Sequence, residues 1–453
     1  MNRAGSSAAA ADEGLTRAIG LRSAVLFVVG SVIGSGIFLT TGGMAAVIPS
    51  ATLLLAAWVL GGILAIAGGL TYAEMGAMFP RSGGVYVFLK EAYGPLPAFL
   101  YGWAALFVVI SGGIAAVAVG FAAYLSYFLP GLASVAVSGI RGTQIVAALV
   151  ILLLGAINYT GVRSGNMVNV VTTAAKVGAL ASLPVMALIA ARVQPVFLPI
   201  VPPGIERPAA SFGIAMIAVL WTYEAWYFVT YAAGEIKDPQ RNIPRALVGG
   251  LVLLTTIYVV VNLAYLYALS IDEMKGTARI AELAATTLVG PGGATLVALT
   301  VVVSTFGNNA AAILAGSRLL FAMAADGVFL PAASRVHPRY RTPHIAIVAI
   351  TVWAALLALS GTYEQLFTYV MFASILFSVA AGIALFRLRW TKPDWPRPYR
   401  TWGYPVVPLV FIAGSAAFVL NTLIERPFES LAGLGLLALG LPAYWYWGPR
   451  SGH

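Results

Sequence analysis

Three polar features interrupt apolar stretches of this chain, and each could do chemistry. The first is Gly30-Ser31-Val32-Ile33-Gly34-Ser35-Gly36-Ile37-Phe38. Gly34 and Gly36 lack a Cβ, so the backbone there can leave a helix and approach a ligand closely. The N–H groups of Ser35 and Gly36 would then begin a second half-helix, whose amino end favours an anion such as a substrate carboxylate. The spacing Gly30-x-x-x-Gly34 also suits close helix packing, the alternative reading. The second feature is Trp221-Thr222-Tyr223-Glu224-Ala225-Trp226-Tyr227-Phe228. A carboxylate in mid-span is costly and marks a candidate functional group; the alternative is a buried structural acid, protonated or paired. Its aromatic neighbours suit either an apolar pocket or ordinary packing. The third is Lys176, among Thr172, Thr173, Val177 and Leu180. It reads as a fixed internal cation on carbonyls of a broken helix, or as a side chain that snorkels to an interface.

Each of the first two features lies at the centre of an apolar run, 21–46 and 209–234, long enough to cross a bilayer. A break at that depth is tolerated only where protein or a water-filled cavity satisfies the freed backbone groups. A pair of such breaks, one in each half of a chain, points to a transporter's binding site.

Composition agrees. Of 453 residues, 60% are hydrophobic and 9% charged, with mean hydropathy +0.90, against about 25% charged in soluble domains. The +10 formal charge does not suggest nucleic acid, because the cations lie in loops between apolar runs. There is no cysteine, which excludes disulfides, including one to a partner subunit, and thiolate metal sites. His337 and His344 lie at or near a loop and His453 at the tail, so a histidine relay is excluded. Metal-ligand spacings and nucleotide-binding loops are absent, so no metal, cofactor or enzymatic reaction is expected. Glu74 reads as an interfacial structural contact, and the Arg-rich segment after Phe386 as an anchor. The first twenty residues read as a disordered tail, without the pattern of a signal peptide.

Twelve apolar runs predict twelve transmembrane helices: 21–46, 51–78, 97–129, 143–162, 166–191, 209–234, 243–269, 286–325, 343–360, 364–388, 403–421 and 430–448. The fold class is an all-α membrane protein. Eighteen of the 26 Lys and Arg fall on one side of these spans, six on the other and two within spans. That bias puts both termini in the cytoplasm. The broken first and sixth spans then run antiparallel, as an inverted repeat of five spans would produce. The expected division is a tail at 1–20, a first repeat at 21–192, a second at 209–388, and two added spans at 403–448.

The chain resembles the amino acid–polyamine–organocation (APC) superfamily, and within it bacterial relatives of the L-type amino acid transporter (LAT) family. The resemblance covers about residues 15–400. It rests on Ile33-Gly34-Ser35-Gly36-Ile37-Phe38, Tyr72-Ala73-Glu74-Met75-Gly76 and Pro80-Arg81-Ser82-Gly83-Gly84. It rests also on Gly234-Glu235-Ile236-Lys237-Asp238-Pro239, Asn242-Ile243-Pro244-Arg245, Gly316-Ser317-Arg318 and Asp326-Gly327. It implies the LeuT-type five-plus-five inverted repeat and alternating-access transport of L-amino acids across the cell membrane, usually as a sodium-independent exchanger. By resemblance the substrate site comprises Val32, Ile33, Gly34, Ser35, Gly36, Trp221, Tyr223, Glu224 and Ala225. Ser35 and Gly36 would hold the carboxylate, and the carbonyls of Val32, Trp221 and Glu224 the ammonium. Trp221 would be a gate, and Lys176 would stand where sodium-coupled relatives hold their ion. The chain departs from the family pattern at Ala225, often Gly, and at Tyr227, frequently Asn; both add bulk near the pocket. A stand-alone monomer without a disulfide-linked heavy chain is expected. The competing readings are proton-coupled uptake, for which Glu224 is the best feature, a passive channel, and an amino-acid sensor.

Overall fold

The structure, a computed structural model, describes residues 17–447 apart from 138, 204, 361 and 362. Of the expected tail, residues 1–16 lie outside this range, as does His453. The described chain is mostly helical. Its strands are one hairpin, Ala136–Val137 with Ile140–Arg141, and an isolated parallel bridge from Ile19 to Ile236.

The first apolar run forms two helices, α1 (Leu21–Val32) and α2 (Gly36–Val47). Between them Ile33 turns extended, with φ −70° and ψ 90°. α3 (Ala51–Met78) starts where the Ser50 side chain accepts from the Leu53 N–H. Its 28 residues span about 42 Å at 1.5 Å per residue, so it crosses a bilayer tilted. α4 (Val85–Tyr93) follows Gly84, whose φ is +50° and whose added Cβ would lie 2.2 Å from the Tyr231 ring. α5 (Pro95–Ala104) runs through a π-helical turn at Ala105–Val109 into α6 (Ile110–Phe128). α7 (Gly142–Tyr159) and α8 (Val162–Ala190) complete the first half.

The sixth run forms α9 (Pro208–Thr222), turns at residues 223–227, and the one-turn α10 (Phe228–Tyr231). Then come α11 (Pro239–Ala268), α12 (Ile280–Val289), α13 (Pro291–Ala325), α14 (His344–Ser360), α15 (Tyr363–Thr391), α16 (Val406–Glu425) and α17 (Pro427–Trp447). Among the described residues nine helical segments are long and apolar enough to cross a membrane. The three other expected spans coincide with α9, which stops at its break after 15 residues, with the 17-residue α14, and with α17.

α1, α3 and α8 pack on α11, and α6 and α8 on α13, so the two broken runs are enclosed. The outer faces carry apolar side chains such as Leu149, Leu188 and Ile189, the last two more than four-fifths exposed. A surface of that kind requires lipid as its solvent.

Glu74 on α3 is fully buried. It accepts from Arg389 Nε and Nη2 (2.9 and 2.6 Å) and from the Thr401 N–H (2.7 Å), with Arg397 Nε at 3.4 Å. The Arg-rich segment after Phe386 is thus clamped to α3 by named contacts. At the same end Glu235 and Arg318 form a buried ion pair at 3.0 Å. Ile19 pairs with the backbone of the segment that follows Glu235: its N–H donates to the Glu235 carbonyl, and the Lys237 N–H donates to its own carbonyl.

Candidate functional site

The carbonyls of residues 30, 31 and 33 at the first break find side-chain donors on neighbouring helices. Lys176, fully buried on α8, donates from Nζ to the carbonyls of Gly30 and Ile33 at 2.8 Å each, and lies 3.5 Å from that of Ser304. Ser304 Oγ on α13 donates to Ile33 at 3.2 Å. Asn308 Nδ2, one turn further along α13, donates to the Ser31 carbonyl. Tyr258 on α11 reaches the Val32 carbonyl at a long 3.4 Å and donates to that of Thr222 at 3.1 Å, joining the two breaks.

At the second break the Trp221 carbonyl accepts the Glu224 N–H at 3.1 Å. Ala225 then takes φ +73°, in the left-handed region. This conformation costs an L-residue about 1–2 kcal/mol. Glu224 Oε1 accepts from the Tyr227 hydroxyl at 2.6 Å and from Ser374 Oγ on α15. Among the described residues no cation forms an ion pair with Glu224.

A cavity lies between the breaks. Its walls include Val32, Gly34, Ser35 and Gly36, then Trp221, Thr222, Glu224, Ala225 and Tyr227, with Asn308 and the α6 face at Val109–Val117. It offers about 50 Å³ to the centres of water-sized molecules. One wall is the amino end of α2, where helix geometry directs N–H groups outward; another carries the Glu224 carboxylate. The Trp221 indole closes on α6, where a Cβ on Gly113 would sit 4.0 Å from it. On the side away from Glu74, a larger cavity of about 460 Å³ is lined by Thr40, Gly120 and Ala218 among others. The 3.4 Å contact of the Thr40 and Thr222 hydroxyls stands between the two cavities.

Of the residues singled out in the sequence, the structure brings Val32, Gly34, Ser35, Gly36, Trp221, Glu224 and Ala225 to one cavity. Ile33 faces the other way, its carbonyl on Lys176. Tyr223 also points away: it packs tilted against Trp58 and edge-on to Tyr258, and donates to the Trp58 carbonyl at 3.2 Å. Gly36 has a second reason to lack a side chain, since a Cβ there would lie 2.5 Å from Thr222 Oγ1. The close approach it permits is therefore of one broken helix to the other. Sequence reasoning missed Asn308, Ser304, Tyr258 and Ser374. Only the Asn308-Asn309 pair, amid the apolar α13, gave a signal that could have found one of them.

A family model described as amino acid permease matches residues 19–432 of this chain. The chain belongs to the amino acid permease family. This family and the relatives matched are transporters, not enzymes. The permease is 35% identical to the serine/threonine exchanger SteT of Bacillus subtilis (strain 168), over 96% of its own length and 97% of that protein's. It is 31% identical to the mouse large neutral amino acids transporter small subunit 2, over 96% of its own length and 82% of the relative's. It is 30% identical to the mouse b(0,+)-type amino acid transporter 1, over 91% and 84%. The family and the apolar helices make this permease a multi-pass membrane protein.

Proposed function

We propose that this permease is a sodium-independent exchanger of small neutral L-amino acids, working by alternating access in the cell membrane. The observation that carries the proposal is the cavity shared by both helix breaks, with the amino end of α2 as one wall and unwound backbone as another. A zwitterion fits such a site: its carboxylate at the N–H groups of Ser35 and Gly36, its ammonium toward backbone carbonyls. Of the three carbonyls considered, that of Trp221 is taken up by its own turn. That of Val32, with only a 3.4 Å contact, has capacity to spare. The carbonyl of Glu224 completes the set.

The size of the cavity favours a short side chain, and the similarity to a serine/threonine exchanger supports the same class. Lys176 holds two carbonyls of the broken helix, the groups that would otherwise be free to bind a cation. Coupling to sodium is thereby replaced. Trp221 serves as the gate. The architecture we infer is twelve spans as a five-plus-five inverted repeat with two added helices, both termini cytoplasmic, working as a monomer. With no cysteine, no disulfide to a heavy chain can form.

Trans-stimulation in proteoliposomes tests the proposal. Serine or alanine inside should accelerate uptake with or without sodium outside. No acceleration would remove exchange, and no flux at all would indicate a sensor. Proton-coupled uptake is the second reading, favoured by Glu224, a carboxyl that accepts from Tyr227 and Ser374 and, among the described residues, forms no ion pair. An imposed proton gradient that drives accumulation without internal substrate would select it.

A further inference from the structure

Outside the substrate cavity, the most built feature is a groove of about 850 Å³ between α3 and α11, roofed by the segment after α15. It opens at the end of the molecule that carries most of the Lys and Arg. Arg241 and Arg245 stand at its mouth, one helical turn apart on α11, both exposed. Among the described residues neither forms an ion pair. Both lie in the first two turns of α11, behind its cap residue Asp238, whose side chain makes no capping hydrogen bond, and the first turn itself carries no acid. Like charges at i and i+4, close to the positive end of a helix, repel and leave a concentrated positive field.

Deeper along the same face of α11 the groove turns apolar. Gly249 lies two turns beyond Arg241, about 12 Å along the axis, and Ile66 and Leu70 of α3 form the opposite wall. Trp402, three-quarters exposed, stands at the rim. Two unpaired guanidiniums at the mouth, an interfacial indole, and an apolar trough running inward match one kind of molecule.

We propose that this groove binds an anionic phospholipid of the basic-side leaflet, its phosphate between Arg241 and Arg245 and an acyl chain along Gly249, Ile66 and Leu70. Headgroup selectivity resides in the arginines and chain binding in the trough. Gly249 supplies the space: a Cβ there would meet nothing within 4 Å, so a larger side chain fills the trough without displacing the helix.

The test uses the purified full-length protein in detergent, titrated with phosphatidylglycerol or phosphatidylcholine. Bound lipids are counted by native mass spectrometry and stability is followed by thermal unfolding. Wild type should retain one phosphatidylglycerol in preference to phosphatidylcholine and melt higher with it. At about 1 kcal/mol per basic residue near the membrane surface, the Arg241→Gln/Arg245→Gln double variant should bind roughly thirtyfold more weakly. Gly249→Phe, which keeps both arginines, should also lose the lipid. Arg335→Gln/Arg339→Gln, on the loop after α13, should bind as wild type. Equal retention of phosphatidylglycerol by the Arg241/Arg245 variant, or equal loss in the Arg335/Arg339 control, would overturn the site. Retention by Gly249→Phe would overturn the acyl trough. Recovery of the effect with inorganic phosphate alone would show an anion site and exclude a lipid.

Discussion

The Lys176 ammonium sits 2.8 Å from the carbonyl oxygen of Ile33, and at the same distance from that of Gly30, fully enclosed by α1, α8 and α13. One charge on α8 thus holds the last turn of α1 open at its break. Lys176→Ala should leave these carbonyls short of donors, at about 1–3 kcal/mol for each buried group left unmade. Ser304 and Asn308 still reach the segment, so the variant should fold, melt lower and turn over at least tenfold more slowly. Uptake and thermal unfolding of one preparation check this; wild-type turnover would remove the role.

Gly36 separates two effects. Its added Cβ would lie 2.5 Å from Thr222 Oγ1. Gly36→Val should therefore abolish substrate binding by forcing the two breaks apart. Gly34→Ala places its Cβ at ordinary contact distance, 3.4 Å, from the Asn308 side chain. It should weaken binding by about tenfold or less while leaving the melting temperature within a few degrees. Calorimetric titration of both variants decides; unchanged affinity in Gly36→Val would contradict the site.

Ala225 has φ +73° and lines the cavity. Ala225→Gly removes the strain of a left-handed L-residue and should stabilise the protein by about 1 kcal/mol. It also removes a methyl group from the pocket wall, so larger neutral amino acids should gain affinity relative to serine. Thermal unfolding and a competition series check both parts. A lower melting point would mean that the turn needs the Cβ.

Both helix breaks were legible in the sequence because glycines and a mid-span carboxylate disrupt an apolar run at a depth where backbone cannot go unpaired. Lys176 was legible for the same reason: a charge in a span must have a partner. The direction of a side chain within a turn was not. Tyr223 and Glu224 are neighbours, yet one packs on Trp58 and the other faces the cavity, because successive residues at the end of a helix project to different sides. Tyr258 and Ser304 were hidden as well. A hydroxyl on an apolar helix ordinarily bonds its own preceding turn, as Thr255 does, and nothing in the local pattern distinguishes one that bridges to another helix.

Glu224 accepts from Tyr227 and Ser374, and among the described residues it forms no ion pair. Glu224→Gln keeps the size and an acceptor for Tyr227 but removes the titration. A structural carboxylate predicts an unchanged rate and pH profile in this variant. A coupling carboxylate predicts that the pH dependence of uptake flattens. Uptake measured from pH 5 to 8 in both proteins separates them.

On the proposed function, substrate in the cavity between the two breaks is exchanged without sodium, with Lys176 in place of an ion. This is tested most directly by radiolabelled serine uptake into proteoliposomes loaded with serine or left empty, each with sodium or with choline outside. Uptake should be several-fold faster into loaded vesicles and equal in sodium and choline. Uptake that rises steeply with sodium, or that is indifferent to internal serine, would contradict it.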